Sequence, residues 1–259
     1  MPELPEVEHA VRRLRPSIVG RHLTAVTTHH PTARRALPDE RAAALTGRRV
    51  TAVDRLGKHQ LLRLDDGSTL HAHFRMNGDW EVGHAAPIPR FARVTLALDD
   101  ETAVHLVDSR ALATIVWRPA GDADPVLAPD ATDPAFDADA LAAKLRGRRA
   151  AIKPVLLDQR VVAGVGNIYA AEALWRARID PRALTAALGP ARRARLVDAI
   201  RDTMADALAS AGRYQDGEAL ARLAVYDREG EPCRRCDAPI RRITQAGRST
   251  YFCAGCQRR

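Results

Sequence analysis

The first six residues, Met1 to Glu6, include two whose types suit covalent chemistry on a sugar. If Met1 is removed, Pro2 presents a secondary amine, and an α-amino group titrates near ~8, about two units below a lysine side chain. Attack of this amine on a sugar aldehyde carbon gives a Schiff base that is a permanent iminium cation, which favours elimination at the neighbouring carbon. Glu3 is placed to pass protons to and from the sugar as a general acid or base. Pro2 and Glu3 are therefore the candidate catalytic pair.

The same segment also has the features of a helix start. Pro5 suits the first helical position, and Glu6 places a carboxylate in the first turn, where the helix dipole favours negative charge. Apolar residues recur at helical spacing from Val7 to Leu14, and Pro16 is expected to end this short helix. A helix start without a catalytic role therefore remains an alternative, although the two interpretations are compatible.

The four cysteines lie near the C-terminus as two C-x2-C pairs separated by sixteen residues. This spacing is typical of a tetrahedral zinc site with four thiolate ligands and not of a disulfide framework. Sites of this all-cysteine kind are closed, so the ion is expected to be structural. Two β-rich segments between the pairs predict a hairpin with Arg248 near its tip, a basic probe for a nucleic-acid backbone. The predicted ligands of this single Zn2+ ion are Cys233, Cys236, Cys253 and Cys256.

The charge balance of the 259-residue chain favours a polyanionic partner. Forty Lys and Arg residues against 32 Asp and Glu give a formal net charge of +8, most of it from arginine, whose planar fork suits phosphate oxygens. An arginine-rich composition inherited from a GC-rich coding sequence is the alternative. The chain has no apolar run of ~18 residues and no charged leader before an apolar stretch, so we expect neither a membrane span nor a signal peptide and place the protein in the cytoplasm.

The region from about residue 20 to residue 118 is predicted to be β-structure. Short apolar segments are separated by turn residues, and Asp66-Gly67 is a strong hairpin signal, so a sandwich or barrel-like sheet is expected. Gly57-Lys58 lies at a strand entry, where a glycine turn would project the lysine inward; a surface lysine is the alternative. The strands are predicted at residues 50–53, 61–64, 69–73, 94–98 and 104–107.

The second half of the chain is predicted to be helical after a Pro- and Asp-rich linker. Helices are expected at residues 141–146, 152–157, 168–175 and 190–211, the last with Pro190 at its start and Gly212 past its end. Between two of them, Gly164 and Gly166 allow a close backbone approach, and the free N–H groups of the helix that follows are expected to bind a phosphate. A tight helix connection without a ligand is the alternative.

Together these residues resemble, over the full chain, the formamidopyrimidine-DNA glycosylase and endonuclease VIII family of base-excision-repair enzymes. The N-terminal Pro-Glu-Leu-Pro-Glu, the Gly57-Lys58 turn, the segment from Asp158 to Ala170 and the cysteine hairpin occur in the order and spacing of that family. The resemblance implies an α+β multidomain protein with a β-sandwich, a helix-two-turn-helix domain and a four-cysteine zinc finger. The corresponding boundaries are residues 1–120, a linker at 121–138, residues 139–222 and residues 223–259.

The resemblance also implies roles for single residues. Pro2 would attack the sugar C1′ of a damaged nucleotide and release the base, Glu3 would act as acid or base, and elimination would then cut the strand. Lys58, which completes the catalytic set with Pro2 and Glu3, would contact phosphate near the lesion. The remaining DNA-binding positions are Met76, Arg110 and Leu112, which fill the void left by the flipped base, and Asn167 and Arg248, which hold the flanking phosphates.

Two departures from the family pattern bear on the substrate. The segment from Ser109 to Ala113 carries a leucine where the formamidopyrimidine branch has an aromatic wedge, while Arg110, which in that branch reads the orphaned cytosine, is retained. The segment from Tyr214 to Val225 is several residues shorter than the loop that caps 8-oxoguanine in the family. The Leu-Pro-Glu start and the Arg110 turn favour the oxidised-purine branch, whereas the short loop leaves oxidised pyrimidines open. We therefore expect a monomeric bifunctional glycosylase for oxidised and ring-opened purines in double-stranded DNA. An endonuclease VIII-like pyrimidine enzyme and a catalytically silent zinc-finger protein that binds damaged DNA are the alternatives.

Overall fold

The computed structural model describes residues 1–210 and 221–259. It divides into two compact units. The first unit comprises Met1–Pro2 and Glu6–Pro125, and the second comprises Glu3–Pro5 and Val126–Arg259. None of the helices in the described residues has the length and apolar character needed to cross a membrane.

Helix α1 (Leu4–Ile18) opens the chain, and its apolar face is fully buried as the helical spacing predicted. The prediction that Pro16 ends the helix is wrong, because the helix continues to Ile18. A proline so close to a helix end removes only one hydrogen bond of the last turn. Because Ile18 is fully buried, its burial favours continuation of the helix past Pro16.

The strands of the first unit are β1 (Leu23–Thr28), β2 (Val50–Leu56), β3 (His59–Leu64), β4 (Thr69–His73), β5 (Asp79–His84), β6 (Ala92–Leu98), β7 (Thr102–Val107) and β8 (Thr114–Arg118). They form two four-stranded antiparallel sheets, ordered β1-β6-β7-β5 and β2-β3-β4-β8. Apolar side chains from both sheets and from α1 form one core, which confirms the predicted sandwich. The Asp66-Gly67 hairpin joins β3 to β4, with Gly67 at φ +80°.

Two short helices interrupt the region that was predicted to be entirely β-structure. They are α2 (Pro31–Ala36) and α3 (Asp39–Ala44). Pro31 fits the first position of α2, and the side chain of His30 caps this helix by accepting a hydrogen bond from the Thr32 N–H. The β prediction failed here because six-residue helices are too short to show a helical period in the sequence.

The second unit is mainly helical, as predicted, and ends in a two-stranded hairpin. The residues that precede its first helix have no regular structure but pack into it, since Ala131 and Phe136 are buried in its core. The predicted end of the last helix at Gly212 lies outside the described residues. The elements are α4 (Ala138–Leu145), α5 (Ile152–Leu156), α6 (Asn167–Arg176), a 3-10 turn (Thr185–Ala187), α7 (Pro190–Ala209), β9 (Ile240–Gln245) and β10 (Arg248–Cys253).

Candidate functional site

The carboxylate of Glu3 is buried against the N-terminus of α6. It accepts hydrogen bonds from the backbone N–H groups of Gly166 at 2.7 Å, Ile168 at 2.8 Å and Tyr169 at 3.3 Å. Only 1% of Glu3 is exposed. These donors and the helix dipole stabilise the negative charge, so the side chain has a fixed orientation beside Pro2.

The two glycines of the loop before α6 are required by this contact. A Cβ on Gly166 would lie 2.3 Å from the Glu3 carboxyl carbon, and one on Gly164 would lie 2.5 Å from Leu4 Cδ1. Gly164 also has φ +89°, which disfavours any other residue. The close approach predicted for this loop is therefore to the N-terminal segment. The prediction that its N–H groups bind a phosphate is wrong for Gly166 and Ile168, which donate to Glu3.

Asn167, the first residue of α6, is joined to the C-terminal hairpin. Its Nδ2 donates to the carbonyl oxygen of Ser249 at 3.0 Å, directly after Arg248 in the chain. Burial raises the pKa of Tyr226, and the side chain of Asn167 nearby acts in the opposite direction. Arg248 itself is exposed at the start of β10, next to the hairpin tip, as its predicted position requires. The structure thus brings the two predicted phosphate-binding residues to neighbouring positions.

Lys153 of α5 is a buried cation that the sequence prediction missed. Its Nζ donates to Asn167 Oδ1 at 2.5 Å, to Thr250 Oγ1 at 2.8 Å and to the Ser249 carbonyl oxygen at 3.3 Å. Burial lowers the pKa of Lys153 to about 8, and the charge of Arg248 acts in the same direction, while Glu3 opposes it. The signal was available, because Lys153 is one of three lysines in the chain and stands within an apolar segment.

Glu172, one and a half turns along α6, holds the segment that begins at Ala224. Its carboxylate accepts from the N–H groups of Ala224 at 2.7 Å, Val225 at 2.9 Å and Tyr226 at 2.8 Å. Burial raises the pKa of Glu172, although the three backbone donors act in the opposite direction. Glu172 therefore positions Tyr226, whose side chain lies near that of Asn167.

The four cysteines form a cluster whose sulfur atoms all lie within 4.8 Å of one another. The Sγ atoms of Cys236 and Cys253 are 3.5 Å apart, and those of Cys233 and Cys256 are 3.9 Å apart. Tetrahedral zinc with Zn–S bonds of about 2.3 Å places its ligands about 3.8 Å from one another, so the cluster fits Zn2+. Trp175 of α6 donates its indole N–H to Cys233 Sγ at 3.4 Å, which ties the zinc site to the helix that carries Asn167.

In the first unit, Lys58 lies in the tight turn between β2 and β3. Gly57 adopts φ +58°, a conformation that glycine accepts without strain. Arg55 donates to the Gly57 carbonyl oxygen at 3.1 Å and to the Glu8 carboxylate of α1 at 2.8 Å. Arg55 therefore ties the turn to α1. Lys58, within this turn, is buried.

The predicted void-filling residues occupy two adjoining loops of the first unit. Met76 and Leu112 are exposed by 37% and 44%. The buried carboxylate of Asp108 shapes the second loop by accepting from the N–H groups of Arg110 at 2.9 Å, Leu112 at 2.6 Å and Ala113 at 2.7 Å. The loops are joined by a hydrogen bond from Asn77 to Ser109. Asp108 was not among the predicted site residues.

Three family models together match most of the chain. The formamidopyrimidine-DNA glycosylase N-terminal domain matches residues 1–115, the formamidopyrimidine-DNA glycosylase H2TH domain residues 127–216, and the zinc finger found in FPG and IleRS residues 230–259. The formamidopyrimidine-DNA glycosylase of Mycolicibacterium smegmatis is 42% identical over 100% of this chain and 98% of that protein. The chain belongs to the formamidopyrimidine-DNA glycosylase family.

Solved structures of the same family have the same fold. MutM in complex with carbocyclic 8-oxo-G containing DNA gives a TM-score of 0.92 at 32% identity and covers 100% of both chains. The Lactococcus lactis enzyme bound to DNA that contains an AP site gives 0.91 at 32% identity, over 99% of this chain and 100% of that chain. The predicted family, its multidomain fold and the structural zinc site are thereby confirmed. The segment at 214–218, which the sequence relates to the lesion-capping loop, lies outside the described residues.

Proposed function

We propose that this protein is a bifunctional base-excision-repair glycosylase and abasic-site lyase that removes oxidised and ring-opened purines from double-stranded DNA. The observation that carries the proposal is the buried Glu3 carboxylate, held by three N–H donors directly after Pro2. Burial and the three N–H donors hold this carboxylate in one position directly after the nucleophile, and a general acid or base must be positioned in this way. The relatives are named for formamidopyrimidine, and one neighbour is bound to DNA that contains 8-oxo-G.

The chemistry starts once Met1 has been removed. The lone pair of the Pro2 nitrogen attacks C1′, the glycosidic bond breaks, and its electron pair leaves with the base, which takes up a proton. The Pro2 nitrogen then loses its proton, the C1′–O4′ bond breaks, and O4′ takes up a proton, which leaves an open-chain iminium that carries the positive charge. Loss of the C2′ proton to a base then expels the 3′ phosphate and cuts the strand. Glu3 exchanges the protons at the sugar in these steps.

The other predicted residues bind and hold the distorted DNA. Asn167 and Arg248 hold the phosphates that flank the flipped nucleotide, with Lys153 supplying further positive charge, and Lys58 contacts phosphate from the first unit. Each phosphate contact of this kind adds to the salt dependence of binding. Met76, Arg110 and Leu112 support the duplex after the base has left the stack, a step that is easiest at a damaged pair. In this proposal the protein acts as a monomer in the bacterial cytoplasm, on the nucleoid.

Borohydride trapping tests the proposal, because reduction converts the iminium to a stable protein–DNA adduct. The Met1-processed protein is incubated with duplexes that carry 8-oxoguanine, a ring-opened purine, an oxidised pyrimidine or an abasic site. We expect adducts on all damaged purine duplexes and on the abasic duplex, and none on undamaged DNA. A preparation that retains Met1, whose Pro2 nitrogen is an amide, is the matched control and is expected to give none.

The pattern of adducts distinguishes the purine glycosylase from the pyrimidine glycosylase and from the silent DNA-binding protein. Stronger adducts on the oxidised pyrimidine than on either purine lesion would favour the endonuclease VIII-like alternative. Binding to every duplex without an adduct on any, the abasic one included, would contradict the enzymatic function and favour the catalytically silent DNA-binding protein.

The Glu3→Gln variant tests the acid–base role. Its rate of base release is expected to be at least about a hundredfold lower than that of the parent, the scale of general acid–base catalysis.

A further inference from the structure

Phe91 has an exposed ring and an unusual backbone conformation. It lies directly before β6 with 42% of its surface exposed, and it is the only exposed residue among the described phenylalanines, tryptophans and tyrosines. Its φ of +69° is in the left-handed region, which bulky side chains rarely adopt. Strain of this kind persists where the surrounding structure enforces it, and it concentrates at functional positions.

The strand register places Phe91 beside the two void-filling loops. Val107, at the end of β7, pairs with Asp79 at the start of β5 and with Ala92 at the start of β6. The loop with Met76, the loop with Leu112 and the residue before Ala92 therefore leave the sheet at the same end. Two hydrogen bonds to backbone carbonyl oxygens fix the arrangement. The N–H of Asp108 donates to the carbonyl oxygen of Phe91 at 3.1 Å, and Arg93 Nε donates to the carbonyl oxygen of Asp108 at 2.7 Å.

The same end of the sheet is basic. The Arg90 guanidinium lies 4.6 Å from the centre of the Phe91 ring, and Arg75 and Arg110 are exposed in the neighbouring loops. An exposed aromatic ring among arginines suits a nucleic acid, whose bases stack on the ring while its phosphates attract the cations. An apolar protein surface would leave these positive charges desolvated without compensation, whereas the phosphates of a nucleic acid compensate them.

We propose that Phe91 is a third duplex wedge, which supplies the aromatic ring that the loop at residue 112 lacks. This inference rests on the proposed function. Met76 and Leu112 are apolar but have no flat ring that can stack on a base, and Phe91 provides one from the adjoining strand end. Apolar side chains that enter a base step in this way hold the duplex kinked and unstacked. Phe91 contacts the DNA next to the vacated position and takes no part in the covalent step.

A pair of substitutions separates this role from a structural one. Phe91→Ala removes the ring, and Phe91→Gly removes both the ring and the backbone strain, since glycine accepts a positive φ. If the ring only stabilised the fold, both variants would melt at a lower temperature than the parent. For a DNA wedge, Phe91→Gly should melt at the same temperature or higher and still bind DNA weakly. Val82→Ala, an exposed position near the middle of β5, is the matched control.

The binding probe is a duplex with a tetrahydrofuran abasic analogue opposite cytosine and 2-aminopurine beside that cytosine. We expect both Phe91 variants to bind this duplex about tenfold more weakly than the parent, with the affinity for single-stranded DNA unchanged. The 2-aminopurine fluorescence should change less on binding than with the parent, because stacking on the ring is lost. Val82→Ala should match the parent in each measurement.

Borohydride trapping of the parent on an abasic duplex keeps the two proposals apart. Absence of an adduct with the parent defeats the proposed function, whatever Phe91 does. If the parent is trapped, unchanged affinity and unchanged 2-aminopurine fluorescence in both Phe91 variants overturn the wedge. An equal loss of affinity for single-stranded and duplex DNA also overturns it, since that result assigns Phe91 a general contact with the backbone.

Discussion

At the residue scale, Lys153 offers the most direct test of the phosphate-binding arrangement in the second unit. Its ammonium group is buried and bonded to Asn167 Oδ1, and burial lowers its pKa to about 8. It is therefore mostly protonated at pH 7 and mostly neutral at pH 9. We expect affinity for abasic-analogue duplex to fall between these pH values as the positive charge is lost, by about tenfold.

Lys153→Met keeps the length of the side chain and removes the charge. Binding by this variant should already be weak at pH 7 and should show a smaller change between pH 7 and pH 9, as measured by fluorescence anisotropy at fixed salt. Lys144→Met, at an exposed position in the last turn of α4, is the control and should retain the pH dependence of the parent. An identical pH dependence in Lys153→Met would exclude Lys153 as its source.

Single residues differ in how far the sequence predicts them. The cysteines were predictable because a metal fixes both their type and their spacing, and the cluster confirms them. Glu3 was named for its position next to Pro2, but its three N–H partners lie more than 160 residues away in the chain. Lys153 stands out as a lysine within an apolar segment, but its partners lie 14 to 97 residues away, so its contacts depend on the fold. Asp108 accepts from N–H groups only two to five residues ahead, in a turn whose form the loop residues alone do not specify.

At the scale of elements, the loop after β7 depends on one carboxylate. Only 1% of the Asp108 surface is exposed, and its carboxylate accepts three backbone hydrogen bonds. Asp108→Asn replaces one acceptor oxygen by an amide that faces N–H donors. We expect the free energy of unfolding to fall by about 1–3 kcal/mol. Because Arg110 is then no longer held, the rate ratio for base release opposite cytosine and opposite adenine should also fall.

Asp100→Asn provides the comparison for this substitution. Asp100 shapes the turn at the other end of the β6–β7 pair, where its carboxylate accepts from Thr102. This variant should lose stability to a similar or smaller extent but keep the opposite-base preference of the parent. If both variants keep that preference, the geometry of the Asp108 loop does not set it.

The pairing of β3 with β4 makes the first unit sensitive to acid. His59 lies opposite His73 in the register, and His59 Nδ1 is 2.7 Å from His71 Nε2. Burial lowers the pKa of His59 to about 4 and of His73 to about 3, with neighbouring imidazoles and cations acting in the same direction. The unfolded chain binds these protons near pH 6.5, so stability is complete above that value and is lost as the pH falls towards 4.

His59→Gln should therefore reduce the drop in melting temperature between pH 7 and pH 4.5. Carboxylates contribute to that drop in every variant, so the informative quantity is the difference from the parent in a thermal melt followed by circular dichroism. His84→Gln, at an exposed position at the end of β5, should leave the drop unchanged. Equal drops in the parent and in His59→Gln would mean that these imidazoles do not set the acid limit.

The elements themselves were predicted unevenly. The five strands named from the sequence are all present, as are the four helices of the second unit, because their apolar periodicity or turn residues are strong. Strands β1, β5 and β8 were not among the five named strands; in β5 the exposed residues outnumber the single buried one. Helices α2 and α3 were not predicted because six residues are too few to show a helical period. The prediction that Pro16 ends α1 was wrong because a proline near a helix end destabilises the helix less than a proline at its centre.

At the scale of the whole molecule, the two compact units have separate cores, and zinc belongs to the second. The apolar residues around the cysteines include Ala171 of α6 and Val225, so the metal site stabilises the hairpin and the contacts that this hairpin makes with α6. Chelation should release the hairpin, separate Ser249 from Asn167 and abolish DNA binding. The sheets of the first unit should persist, because none of the cysteines belongs to that unit.

The indole of Trp175 reports this change from within the second unit. Its N–H donates to Cys233 Sγ, and the Arg235 guanidinium lies 4.0 Å from the centre of its ring. Zinc removal breaks both contacts and exposes the ring, so tryptophan emission should shift to longer wavelength in step with the loss of DNA binding. Trp175→Phe leaves Trp80 and Trp117 in the first unit, and its emission should not respond to the chelator. A red shift that persists in Trp175→Phe would mean that the first unit also unfolds without zinc, and its stability would then depend on the metal.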